Sequence, residues 1–164
     1  NELISQEFLT QNGQCYIYKE YKKNKLVVIQ LHEPNNKIVS FSSEKEFIAY
    51  FFNDVFYEND VVVNDARFLD LPLLKAKVGK RIFQIHNSHL NNPLDNQSGV
   101  KGSFSNILNS KFPKTDTIVS LTEKQKKDII SAVPSLKDNI SVIPHSTTKR
   151  ELKYQRQLNH FGVI

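Results

Sequence analysis

The sequence changes its period once, and that change limits the folds open to it. From Glu7 to Val39 the pattern is strand and turn: apolar and polar residues alternate in Cys15-Tyr16-Ile17-Tyr18-Lys19-Glu20-Tyr21, and a second strand runs from Leu26 to Leu31. Alternation with a period of two sends successive side chains to opposite faces of a strand. The interruptions are turn residues: Asn12-Gly13, where glycine accepts positive φ, then Lys23-Asn24 and Asn35-Asn36. Residues 7–39 therefore predict an antiparallel meander of about four strands, with a turn every ~8 to 12 residues.

Beyond this point the period lengthens. Ser42-Ser43-Glu44-Lys45-Glu46 supplies a capping serine and early acids, and Phe47, Ile48, Phe51 and Phe52 recur at helical spacing up to about Asn53. Asp60-Val61-Val62-Val63-Asn64-Asp65 is a short β-branched run, expected as a strand buried on both faces of a parallel sheet. Leu69 to Ala76 reads as a helix, and Arg81 to His86, Thr117 to Ser120 and Ile140 to Ile143 read as further strands. Between the last two, Thr122 caps a helix running to Ala132, with Ile129, Ile130 and Val133 on one side. The order β, α, β, loop, β, α, β is that of an open parallel sheet with crossover helices. The predicted fold class is α/β, a partial Rossmann-like parallel sheet preceded by the antiparallel β meander. Asn91 to Lys114, rich in Asn, Ser, Gly and Pro, is expected as a functional or mobile loop.

Composition narrows the function classes. With 39% hydrophobic and 10% aromatic residues in 164, the chain has the side chains for a core, which excludes a disordered tail. No apolar run reaches the roughly 18 to 20 residues that span a bilayer, and no secretory segment opens the chain. The expected setting is cytoplasmic, including the inner face of the membrane. A single cysteine, Cys15, excludes an internal disulfide and a thiolate metal cluster. The net charge of +5 favours encounter with polyanions without selecting one, and lysine groups such as Lys124-Gln125-Lys126-Lys127 equally suit a solvated surface. GxGxxG, Walker and GxSxG patterns are all missing, so dinucleotide, nucleotide triphosphatase and hydrolase readings lack their residues. A chain without methionine that begins at Asn1 is expected to be a piece of a longer one.

Ligands of open parallel sheets bind beyond the carboxyl ends of the strands. That rule singles out Asp65, His86, His89, Thr122 and His145. In His86-Asn87-Ser88-His89 an imidazole near its pKa can exchange a proton or bond a sugar hydroxyl or phosphate. A metal shared by His86 and His89 would have no third ligand at useful spacing, and neither a metal nor a cofactor is expected. Asp65 reads either as a member of the site or as a capping or salt-bridging carboxylate. His145, after Ile143-Pro144, reads as a cleft residue or as a histidine packed at a strand end, and Thr122 as a helix cap. Tyr16 and Tyr18 fall on one strand face, for stacking on carbohydrate or bases or for sheet packing.

The segments Phe83 to His89, Ile118 to Ile129 and Ile140 to His145 resemble, in order and spacing, the acceptor-side lobe of GT-B retaining glycosyltransferases of family 4. In that family a strand leads to a histidine at the active-site mouth, a later strand leads into a helix opened by Thr or Ser plus an acid, and a strand ending in a Pro motif precedes the second lobe. The meander, from Gln6 to Gln14 onward, is similar to the β-sheet insertion of the subgroup that glucosylates or N-acetylglucosaminylates wall teichoic acid and serine-rich adhesins. His160-Phe161-Gly162-Val163-Ile164 resembles the first strand of the donor lobe. The resemblance implies an insertion over 1–42, an acceptor lobe over 43–157 and the start of the donor lobe over 158–164. It implies transfer of a hexose or N-acetylhexosamine from a sugar nucleotide, held mainly by the other lobe, to a teichoic acid or glycoprotein acceptor. In that scheme His86 is catalytic, and His89, Asn87, Asp65 and His145 bind substrate. The meander would contact the polymeric or protein acceptor or pair subunits of a homo-oligomer. The family's Gly-rich loop, and the basic pair and glutamates that hold the nucleotide, fall outside these residues, so the piece alone is expected to be inactive. The competing class is a non-catalytic basic module holding an anionic polymer or nucleic acid on the tyrosine-bearing meander; a positive stripe across one sheet face would favour it, and charge near His86 would favour the transferase.

Overall fold

Left-handed turn residues set the register of the first sheet. In the computed structural model, which describes residues 2–109 and 111–144, β1 (Ser5–Leu9), β2 (Cys15–Lys22), β3 (Lys25–His32) and β4 (Ile38–Phe41) form an antiparallel sheet in sequence order. Lys23 and Asn24 have φ of 52° and 58°, and Gly13 and Asn36 have 78° and 61°. Two successive left-handed residues match the right-handed twist of the strands they join. Ile17 pairs with Leu31, Lys19 with Ile29, and Ile29 with Phe41. These residues share one face, and Tyr16 and Tyr18 share the other.

The apolar face is covered by α1 (Glu44–Val55). Ser43 accepts the Glu46 N–H, while the Glu46 carboxylate accepts from the N–H and hydroxyl of Ser42, so both ends of the cap are satisfied. Phe47 and Tyr50 pack on Phe41 with ring centroids 5.4 and 5.2 Å apart. Phe52 and Phe56 reach the opposite way into the second core. Asn53 Oδ1 accepts the Lys77 N–H at 2.6 Å, tying the helix to the chain leaving the next one.

The second sheet is parallel, in the order β5 (Val61–Asn64), β6 (Lys80–Gln84), β7 (Thr117–Ser120) and β8 (Ile140–Val142). A 3-10 turn and α2 (Asp70–Lys75) join β5 to β6, and α3 (Glu123–Ala132) follows β7. Parallel neighbours that follow one another in sequence order, joined by crossovers of one hand, carry their connections over one face. There Leu73, Phe83, Ile85, Ile107, Ile118, Ile129, Leu136 and Ile140 form the core. At the amino ends of the strands Arg81 pairs with buried Asp116 at 3.1 Å, and its guanidinium also donates to the Leu73 and Ala76 carbonyls. The pairing is multiply hydrogen-bonded, as a buried ion pair requires. The α/β class and the sheet types are those the sequence predicts.

Two local expectations are corrected. β5 is not buried on both faces: Val61 and Val63 are 61% and 60% exposed. The strand lies at a sheet edge, and the crossovers cover only the side that Val62 faces. The Asn91 to Lys114 segment is not simply a polar loop either. Leu90 and Val100 close it with an antiparallel bridge, and Phe104, Ile107, Leu108 and Phe112 are buried in the core. Its asparagines and serines serve turns, as where Asn109 bonds the Ser105 and Asn106 carbonyls. No helix among the described residues is long and apolar enough to cross a membrane.

Candidate active site

The four parallel strands end on one edge, and the residues after them converge there. Asp65 immediately follows β5, and His86 lies two residues beyond β6. His86 Nε2 is 3.4 Å from Asp65 Oδ2, with the two side chains 38% and 69% exposed. An imidazole held by a carboxylate at a solvent-facing edge can orient a hydroxyl and exchange a proton with it.

Beside this pair is a cavity of about 260 Å³ lined by His86, Asn87, Ser88, His89, Leu121, Thr122, Lys124, Gln125 and Asp128, among others. Thr122 Oγ1 accepts the Gln125 N–H at 3.1 Å, so the predicted cap is present and α3 begins at the cavity wall. Gln125 Nε2 donates to the Asn87 carbonyl at 2.9 Å, which fixes the β6 exit loop against α3. The His89 carbonyl accepts the Lys101 N–H at 2.8 Å, and Ser88 Oγ accepts the Leu90 N–H. Asn96 donates to Asp128 at 3.3 Å and accepts from Lys124 at 3.1 Å.

His89 is 2% exposed, and neither ring nitrogen has a hydrogen-bond partner among the described residues. Burial lowers its pKa; the Asp128 carboxylate opposes this, and Lys124 and Lys101 reinforce it. The balance favours the neutral ring over the charged one.

The sequence reading missed a buried polar cluster at the carboxyl ends of β5 and β6. Arg67 Nη2 donates to the carbonyls of Asn64 and Gln84 at 3.1 and 3.0 Å, the last residues of β5 and β6. It lies over the Phe104 ring and 3.5 Å from the carboxylate of fully buried Asp70. Asn64 Nδ2 donates to Asp70 at 2.7 Å. Burial pushes the Asp70 carboxyl up to about 6, against the opposing pull of Arg67 and Asn64. The available signal was the spacing Asn64, Arg67, Asp70, three polar residues at intervals of three directly after a β-branched strand.

Asp65, His86, Asn87 and His89 are thus placed together, Asn87 through its backbone. His145 and the 158–164 segment lie outside the described residues. Among the described residues no group of three His, Cys, Asp or Glu side chains converges as for a metal ion. A separate groove of about 450 Å³ runs between the meander and α1, lined by Tyr16, Ile17, Leu31, Phe47, Tyr50, Phe51 and Asp54.

No protein-family model matches the chain, and no curated protein sequence does. Solved structures do. A crystal structure of TarM superposes with a TM-score of 0.59 at 16% identity, covering 90% of this chain and 32% of that one. A mutant TarM from S. aureus in complex with Fondaparinux, alpha-GlcNAc-glycerol and UDP gives 0.57 at 16% identity, covering 91% and 34%. The pneumococcal O-GlcNAc transferase GtfA in complex with UDP and GlcNAc gives 0.64 at 15% identity, covering 86% and 28%. The chain spans about a third of the length of these structures. At that identity the likeness is one of fold, an antiparallel sheet joined to an α/β layer with a parallel sheet.

Proposed function

We propose that this chain is the acceptor-side part of a GT-B retaining glycosyltransferase of family 4, one that transfers a hexose or N-acetylhexosamine from a sugar nucleotide to a teichoic acid or glycoprotein acceptor. The observation that carries the reading is the His86–Asp65 pair at 3.4 Å on the carboxyl edge of the parallel sheet, in a fold shared with GtfA and TarM. The sugar nucleotide would be held mainly by chain beyond these residues. His86, steadied by Asp65, would bond the transferring sugar or the attacking hydroxyl. The acceptor oxygen would then replace the nucleotide on the same face of the anomeric carbon. Closing both substrates into one cleft lowers the entropic part of the barrier and keeps out water that would hydrolyse the donor.

Charge distribution supports this over a basic binding module. Tyr18 sits opposite Glu7, and Glu20 lies on the same face, so acids interrupt the tyrosine-bearing surface. Lys124 lines the cavity beside His86. The meander, with its aromatic groove beside α1 and every residue of β1 exposed, would take the acceptor or a second subunit along its open edge.

The test is nucleotide release from UDP-glucose and UDP-N-acetylglucosamine by the longer protein containing this chain, with teichoic acid or glycoprotein present. Acceptor-dependent release is expected, and His86→Ala should reduce it by about 100-fold or more. Absence of release with every acceptor would overturn the transferase reading, whereas release untouched by the substitution would overturn the role of His86.

A further inference from the structure

Asp65 and His86 face each other across two chain exits that no longer pair as strands. The register of β5 with β6 stops at Asn64 and Phe83, while β6 stays joined to β7 through the Ile85 N–H and the Val119 carbonyl at 2.8 Å. Beyond β5 the Asn64 side chain accepts the Ala66 N–H at 3.2 Å and donates to the Ala66 carbonyl at 3.1 Å, which fixes the backbone on either side of Asp65. These bonds hold Asp65 to its own strand. They do not set its distance from the chain leaving β6.

Arg67 spans that gap. Its Nη2 donates to the Asn64 carbonyl, one residue before Asp65, and to the Gln84 carbonyl, two residues before His86, at 3.1 and 3.0 Å. Both hydrogens of one planar nitrogen are engaged, a fixed geometry that a rotatable lysine ammonium does not have. The fork is held from behind: the guanidinium lies over the Phe104 ring, with Nη1 3.5 Å from the Asp70 carboxylate. Burial lowers the Arg67 pKa, and the Asp70 and Asp65 carboxylates oppose this, so Asp65 acts on Arg67 as well as on His86. A guanidinium only 16% exposed beside a fully buried carboxylate is not explained by stability, because apolar side chains of like volume commonly serve a core as well. What it supplies that they cannot is a fixed span between two carbonyls.

We propose that Arg67 is a positioning residue: by bridging the Asn64 and Gln84 carbonyls it sets the distance between Asp65 and His86. The consequence for catalysis rests on the transferase reading, in which this pair orients the transferring sugar or the attacking hydroxyl. The effect on the pair itself does not.

The experiment joins NMR on the full chain to kinetics on the longer protein. Asp65→Asn should move the His86 ring resonances in the parent, where the carboxylate stands 3.4 Å away, and should hardly move them in Arg67→Gln, where the pair is no longer held. Arg67→Lys should restore part of the response. Should Arg67→Gln fail to fold, the unaltered chain decides, because an Nη2 bonded to two carbonyls turns slowly about the Cζ–Nη2 bond and gives separate proton signals. In the longer protein Arg67→Gln should lower kcat for acceptor-dependent release on the order of 100-fold, the effect of a misplacement of about 1 Å, with KM for the sugar nucleotide little changed. Added to Asp65→Asn it should lower kcat hardly further, since both act through one pair, whereas a residue that only supports the fold would multiply the two losses. Equal His86 responses in the parent and in Arg67→Gln, no response in the parent, a freely turning Nη2, or multiplying losses would each overturn the proposal. Absence of release by the parent would sink the transferase reading and leave the His86 response to decide the role of Arg67.

Discussion

Asp70 sits behind Arg67 and Asn64 with no solvent contact, and burial raises its carboxyl from the usual 3.8 to about 6. Between those values the folded chain keeps a proton that the unfolded chain releases. The stability this group contributes is therefore present below about pH 4 and is lost as pH rises through about 6, by an amount on the order of 2–3 kcal/mol. Asp70→Asn removes the titration. Chemical denaturation at pH 4 and pH 7 should show the variant gaining on the parent by that amount between the two values, and parallel profiles would contradict the assignment. The residues at the strand ends, His86 and Asp65, were legible in the sequence because the carboxyl edge of a parallel sheet is fixed by strand order alone. Arg67 and Asp70 were not, because their importance depends on burial, and three polar residues after a strand look the same whether they face water or the sheet.

Where segments begin and end, single positions decide. Gly79 enters β6 against the preceding turn, where a Cβ would collide with the Glu58 carbonyl and stand 3.1 Å from the Asp60 carbonyl. Backbone cannot yield as a flexible side chain can, so Gly79→Ala should cost about 2 kcal/mol or more by thermal denaturation. Gly102→Ala, where the added carbon meets nothing within 4 Å, is the control that should leave stability nearly unchanged. Thr122→Ala removes the α3 cap and should cost about 1 kcal/mol, and with it the fixed approach of Gln125 to Asn87. The hairpins were readable because left-handed backbone restricts residue choice, as at Asn24 and Gly13. The 91–114 stretch was misjudged because Phe104, Ile107, Leu108 and Phe112, though at helical spacing, stand among Gly, Ser and Asn that break a helix; they are buried through a 3-10 turn and bends.

Across the whole chain, α1 is the joint. One side of it stacks on Phe41 of the meander through Phe47 and Tyr50, and the other packs Phe52 and Phe56 on the parallel layer. No described meander strand hydrogen-bonds to the parallel sheet. Phe52→Ala should cost about 2 kcal/mol, less than a fully buried phenylalanine, and should also uncouple the two layers. A fluorophore on Cys15, the single cysteine, reports the meander, and far-ultraviolet circular dichroism reports the whole. The two melting curves should coincide in the parent and separate in the variant; a common shift of both would show that the layers are coupled by more than this helix.

A sheet attached through one helix has a history of its own. The outer meander face, with Tyr18 and Glu20, belongs to a sheet separate from the strands that lead to Asp65 and His86. Selection for a new partner and selection for the same chemistry thus act on different atoms, and a lineage can change the first while it inherits the second.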